Sequence, residues 1–137
     1  MNLHVTTTVK GTSSEVWKRL FGPEHLVHWY FAHESWCCPS AAFDPKPGGD
    51  FSIRMEARDG SFGFDFAGDI LEADKPNRLV ARLGDGRSLE IQLTEVQEGT
   101  RVDEWFEPES ENPLEMQQGG WQAILNQFKT YSDGLSR

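Results

Sequence analysis

The chain has 137 residues, 22 acidic and 13 basic side chains, and a formal net charge of −9, which excludes an electrostatic fit to DNA, RNA or an anionic membrane surface. Nine Phe, five Trp and two Tyr exclude disorder and are enough to build the core of one domain, 1–137, without disulfides. No apolar run approaches the roughly 18 residues that cross a bilayer, and the start, Met-Asn-Leu-His-Val, lacks the basic and apolar segments of a signal peptide.

In chain order, Val5, Thr7 and Val9 alternate with Thr6, Thr8 and Lys10, which predicts a strand with one buried face. Gly11 ends it. Thr12 followed by Glu15 is a capping box, opening a helix that carries Val16, Trp17, Leu20 and Phe21. Gly22-Pro23 stops that helix, and a second short one from about Glu24 to Tyr30 presents Leu26, Trp29 and Tyr30.

From about Trp36 the period becomes two. Turn chemistry fills Asp44 to Gly49, with Gly48 or Gly49 expected at positive φ. Phe51, Ile53 and Met55 then alternate with Ser52, Arg54 and Glu56, and Asp59-Gly60 marks a hairpin. Phe62, Phe64, Phe66, Gly68 and Ile70 share one parity along a long strand. Further strands carry Leu79, Ala81 and Leu83, then Leu89, Ile91 and Leu93, then Val102 to Phe106, an antiparallel meander. Asp103 to Glu115, acidic with two prolines, reads as a solvated loop toward the next helix.

That helix, Met116 to about Leu135, places Trp121, Ile124, Leu125, Phe128 and Tyr131 on one stripe. Gln122, Asn126, Gln127, Lys129 and Thr130 occupy the opposite face and suit water. Its length, roughly 27 Å at about 1.5 Å per residue, crosses a small domain. Trp121 is expected to anchor it on the strands, with Gly120 permitting close backbone approach.

Cys37 and Cys38 are adjacent, and with His25, His28 and His33 they match no standard zinc spacing. Two reduced thiols, one of them buried, are expected, with no metal and no cofactor. Phosphate-loop, nucleophile-elbow and metalloprotease motifs do not occur in the sequence.

Trp17, Trp29, the stretch Phe43-Asp44-Pro45-Lys46-Pro47-Gly48-Gly49-Asp50-Phe51, Gly68, Pro76-Asn77-Arg78-Leu79, Gly99-Thr100 and Gly120-Trp121 occur in a telling order. Together they resemble the family of domains similar to the activator of the heat-shock protein 90 ATPase, within the START-like, polyketide-cyclase-like superfamily. The resemblance implies an α+β helix-grip (Bet v 1-like) fold in the order strand, two helices, six strands, helix. A curved antiparallel sheet would wrap the last helix and leave a cavity between them, because a twisted sheet cannot lie flush along a straight rod. By parity its lining would be Phe43, Phe51, Ile53, Met55, Phe64, Phe66, Ile91, Leu93, Phe106, Trp121 and Leu125, with Trp29 from the second helix; the alternative is that these large side chains simply fill the space.

Glu104 is the sharpest chemical candidate. Regular alternation through Val102, Glu104 and Phe106 would place its carboxylate among apolar side chains and raise its pKa; a bulge would instead turn it out to water. His28, Tyr30 and His33 lie where superfamily cavities open, and Arg54 and Arg58 are expected to pair with outer-face acids. Three functions follow. One is binding of a small apolar or aromatic, lipid-like ligand. The second is an enzyme of the polyketide cyclase or dehydratase kind with Glu104 as catalytic acid or base. The third is a protein-interaction role like that of the chaperone activator, whose further chaperone-binding domain has no counterpart expected here. A cytoplasmic monomer or homodimer, engaging no nucleic acid and no membrane, is the expected setting.

Overall fold

Local chemistry starts the first helix where the sequence places it. In the computed structural model, which describes residues 2–136, the Thr12 hydroxyl accepts from the Glu15 N–H while the Glu15 carboxylate accepts from the Thr12 N–H, closing the capping box. Helix α1 (Ser13–Phe21) buries Val16, Trp17, Leu20 and Phe21. Helix α2 (Pro23–Leu26) is shorter than the sequence implies; the chain passes through a turn at Val27 to Trp29 and leaves Tyr30 in irregular backbone.

One antiparallel sheet contains strands β1 (Leu3–Val9), β2 (Trp36–Phe43), β3 (Asp50–Ala57), β4 (Gly63–Asp74), β5 (Arg78–Leu83), β6 (Ser88–Val96) and β7 (Gly99–Phe106). Its order is β1-β7-β6-β5-β4-β3-β2. The meander therefore runs unbroken from β2 to β7, and β1 adds to the far edge beside β7. Gly99, at φ 145°, lies so close to β1 that a side-chain carbon there would overlap the Val9 carbonyl. Turn residues behave as their chemistry requires: Gly48 and Gly60 take positive φ. At Gly49 a Cβ would strike the Asp44 carbonyl. Phe51 pairs with Gly68 across β3 and β4 and lays its ring over the missing side chain. A register shift between Ile70 and Glu72 bends β4 and leaves Leu71 exposed.

Helix α3 (Leu114–Leu135) begins two residues before its apolar stripe predicts, after Pro113. The acidic stretch before it is part strand, since β7 runs to Phe106. The remaining loop is tied back by Gln117, whose side-chain amide donates to the Glu109 and Asn112 carbonyls and accepts from the Glu109 N–H.

The polar side of α3 does more than face water. Edge strand β1 has outward backbone groups with no neighbouring strand, and α3 supplies partners for them. Gln118 donates to the His4 carbonyl at 2.8 Å, Gln122 donates to the Thr6 carbonyl at 3.0 Å and accepts from the Thr6 N–H at 3.3 Å, and Lys129 donates to the Thr8 carbonyl at 2.6 Å. Asp133 accepts from the Lys10 N–H at 2.9 Å. Within the pairs Gln118–Gln122 and Lys129–Asp133 the match is geometric: two strand residues advance about 6.8 Å and four helical residues about 6 Å. The seven-residue step between the pairs is taken up by the long Lys129 side chain. The apolar stripe of α3 buries Leu125 and Phe128 in one core with Val5, Val9, Leu20, Trp29, Ile53 and Val102.

Candidate functional site

Where the curved sheet leaves the first half of α3, two voids lie in line. The outer one is a cleft of about 420 Å³, open at the surface, walled by Tyr30, Phe31, Trp36, Met55, Phe64, Phe66, Met116, Trp121 and Ile124, with His33, Arg87, Asn112 and Gln117 at its polar margin. That volume is in the range of sites for small organic ligands. Behind it is an inner chamber of about 30 Å³, bordered by Leu20, Phe21, Leu26, Trp29, Phe43, Phe51, Ile53, Leu79, Ala81, Leu89 and Ile91 and reached by the Glu104 side chain. Tyr30, Phe66 and Trp121 belong to both walls and form the partition.

The partition is aromatic by construction. Trp121 stacks on Phe106 with centroids 3.9 Å apart and planes 9° apart, and meets Phe66 edge-on at 5.7 Å. Tyr30 stacks on Phe66 at 5.9 Å. Gly120, just before Trp121, lines the cleft, and a Cβ there would meet no atom within 4 Å. The expectation of close backbone approach at Gly120 is thus corrected: the glycine leaves room beside the helix, and the sheet has already curved away from it.

Strand β7 keeps regular register on both sides, with Glu104 opposite Val5 of β1 and Ile91 of β6. No bulge intervenes, so Val102, Glu104 and Phe106 all point inward, and Glu104 is 9% exposed. Among the described residues none hydrogen-bonds its carboxyl, which keeps slight accessible surface and faces a chamber wall that is hydrocarbon apart from Tyr30. Burial therefore pushes its pKa up to about 8, so it is largely protonated at neutral pH. Tyr30 also borders the chamber, and burial together with the field of Glu104 raises its pKa well above the ordinary phenol value.

Of the expected lining residues, Trp29 from the second helix and Phe43, Phe51, Ile53 and Ile91 from parity border the chamber, Met55 and Phe64 border the cleft, and Phe66 and Trp121 border both. Leu93, Phe106 and Leu125 are buried in the core and touch neither void. Phe106 acts behind the wall by backing Trp121. Sequence reading did not pick out Phe31, Trp36, Met116 or Ile124 for the cleft; all but Ile124 lie in irregular segments or at element ends, where alternation carries no information. Ile124 was visible only as part of the helical stripe.

His33 reaches the cleft margin and bonds Ser35 through its Nδ1 at 2.9 Å. His28 stacks on Tyr131 and His25 hydrogen-bonds the Tyr131 hydroxyl at 2.7 Å, so these two fasten α2 to α3 away from the opening. Arg54 pairs with Glu56 and Asp65 on the outer face. Arg58 departs from the expected acid pairing; it donates to the Glu34 carbonyl and lies over the Phe31 ring. Both thiols are free, Cys38 buried and Cys37 half-buried. Among the described residues no helix is long and apolar enough to cross a membrane.

An antiparallel sheet curved around a long C-terminal helix, with two short helices after the first strand and a cleft between sheet and helix, is the helix-grip architecture of START-like proteins. The chain belongs to the family described as Activator of Hsp90 ATPase homolog 1-like protein, whose model matches residues 10–133. It is similar to an AHSA1-like protein of Aeromonas hydrophila, with 32% identity, 99% of this chain and 94% of that chain covered and a TM-score of 0.93. A protein of Cytophaga hutchinsonii is 39% identical over 98% of this chain and 92% of its own, with a TM-score of 0.79. A Nitrosomonas europaea protein at 21% identity shares the fold, with a TM-score of 0.84 and 98% and 96% coverage. No curated protein matches the chain at a significant level.

Proposed function

We propose that this protein binds a small apolar or aromatic ligand in the cleft between the sheet and α3, the whole chain serving as one binding unit in the cytoplasm. The observation that carries the reading is the cleft itself: about 420 Å³ with walls dominated by aromatic and thioether side chains, where burial of apolar ligand surface at about 25 cal/mol per Å² drives association. The flexible side chains of Met55 and Met116 suit ligands of variable outline. Catalysis of the cyclase kind draws its support from the inward, protonated Glu104. Tyr30 is the one other titratable group bordering the chamber, which favours holding a ligand over proton relay. The chaperone-activator role draws on the family name and on Phe62 and Met116, 61% and 62% exposed.

Gly120→Leu tests the binding reading. The new side chain would project into the cleft, and leucine is a better helix former than glycine by about 0.5–1 kcal/mol, so folding is kept. Native mass spectrometry of freshly purified protein should show a small-molecule adduct, or uptake of added 2-acetylnaphthalene, in the parent chain and neither in the variant. Equal uptake by both proteins, or none by either, would remove the cleft as the site.

A further inference from the structure

We propose that the inner chamber is a carbonyl-binding subsite, in which the Glu104 carboxyl and the Tyr30 hydroxyl both donate to the oxygen of a ketone, or a similarly neutral acceptor, at the leading end of an aromatic ligand lying in the cleft. This rests on the cleft-binding reading and adds to it the chemical class of the ligand. Three observations carry it. Glu104 is nine-tenths buried on a strand of regular register and reaches the chamber without a hydrogen bond from any described residue. No fully buried side-chain oxygen among the described residues lacks a partner, so the Glu104 oxygens keep a trace of accessible surface, and a ligand atom in the chamber would take the place of solvent there. Second, the chamber holds about 30 Å³, room for an atom or two and not for a ring, since one water needs roughly 10–15 Å³ on this measure. Third, Tyr30 borders both voids, and the Glu104 charge acts on its phenol, so the two groups serve the same chamber.

The acceptor class follows from the donor inventory. With burial holding Glu104 protonated at neutral pH, the chamber presents two O–H donors, as do apolar sites elsewhere that keep a carboxylic acid neutral. A carbonyl oxygen has two lone pairs to receive them. An ammonium carries three N–H donors and would find two acceptors, Glu104 and the Tyr30 oxygen, with aromatic faces for the rest, the alternative that an amine probe tests. The groups around Glu104 leave it to titrate alone. The Tyr30 phenol is raised well above its ordinary range, and burial of the adjoining Cys38 thiol pushes it up to about 11. Asp103 and His4, its neighbours on β7 and β1, pair with each other on the outer face, and His25 is turned to Tyr131.

Calorimetric titration with three probes of similar outline tests this: 2-acetylnaphthalene, 2-isopropenylnaphthalene, in which CH₂ replaces the carbonyl oxygen, and 1-(2-naphthyl)ethylamine. At about pH 6, below the Glu104 pKa, the ketone should bind about tenfold more tightly than the alkene, the worth of one to two buried hydrogen bonds. The margin should vanish at about pH 9.5, where the ionised carboxylate repels the carbonyl. Glu104→Gln, which keeps a donor, should retain the preference and lose its pH dependence; Glu104→Leu should abolish it, and Tyr30→Phe should reduce it. Equal binding of ketone and alkene at pH 6, or tightest binding of the amine, would overturn the subsite and leave the cleft standing. Failure of all three probes to bind would overturn the subsite, and with no copurified adduct on the parent chain it would overturn the cleft as well.

Discussion

Glu104 carries a cost that the fold accepts. Burial holds its carboxyl protonated in the folded chain up to about pH 8, against 4.5 for an exposed glutamate, so the native state binds more protons than the unfolded state between those values. Stability therefore falls as pH rises through that window, at a slope approaching about 1.4 kcal/mol per unit, and Glu104 adds no further slope below about 4.5 or above about 8. Glu104→Gln removes the ionisable group at nearly constant shape. Urea midpoints of parent and variant should be similar near pH 5 and diverge toward pH 8, with the variant the more stable; parallel profiles would mean the carboxylate finds solvent or a counter-charge in solution. Carboxyl NMR titration reads the same quantity directly, as a Glu104 resonance still titrating near pH 8.

At the scale of the element, α3 is held from two sides by different chemistry. On the apolar side Trp121 stacks on Phe106 and touches Phe66. Because one face of the indole borders the cleft, Trp121→Ala should cost about 3 kcal/mol, the lower end for emptying a buried aromatic site; a loss below about 1 kcal/mol in denaturant titration would mean the stacking contributes little. On the polar side Gln118, Gln122, Lys129 and Asp133 complete the outer edge of β1. This covers a row of backbone groups that would otherwise template pairing with another chain. Gln122→Ala frees both backbone groups of Thr6 and should lower stability by about 1 kcal/mol, since water replaces the lost bonds at this exposed edge. The measurement is again a shift in denaturant midpoint, and an unchanged midpoint would show the edge already satisfied by solvent.

At the scale of the molecule, the β1 and β2 edges lie at opposite ends of the sheet order, and the chain linking them contains α1 and α2. The core concentrates where α1, α2 and the second half of α3 meet the sheet, while the first half of α3 stands off and leaves the cleft. A ligand filling that cleft binds the folded chain alone. At about 100 times its Kd it adds roughly 2.7 kcal/mol, which for a domain of this size raises Tm on the order of 8 °C. Differential scanning fluorimetry with 2-acetylnaphthalene should show the rise in the parent protein and not in Gly120→Leu. A rise of equal size in both would place the probe elsewhere.

The sequence by itself determined most elements and their inward faces, because both are local, though not the end of α2 or the extent of β7. Alternation placed Phe51, Ile53 and Ile91 on the buried side of their strands, Thr12 and Glu15 started α1, and the Gly48-Gly49 pair reversed the chain before Phe51. That Glu104 faces inward waited on the unbroken register of β7, and that the positive φ falls on Gly48 on the turn itself. The long-range arrangement was beyond such patterns. That β1 pairs with β7 depends on strand edges about a hundred residues apart in the chain, and Gln122 and Lys129 read as a water-facing stripe until an edge strand lay beside them. Tertiary structure alone decided which inward residues pack and which line a void. Leu93 and Leu125 share the apolar character of Ile91 and Trp121, but the curvature of the sheet carries it against the second half of α3 and away from the first. Curvature is a property of the whole strand assembly, its twist summed over seven strands and bent further at the Ile70 register shift.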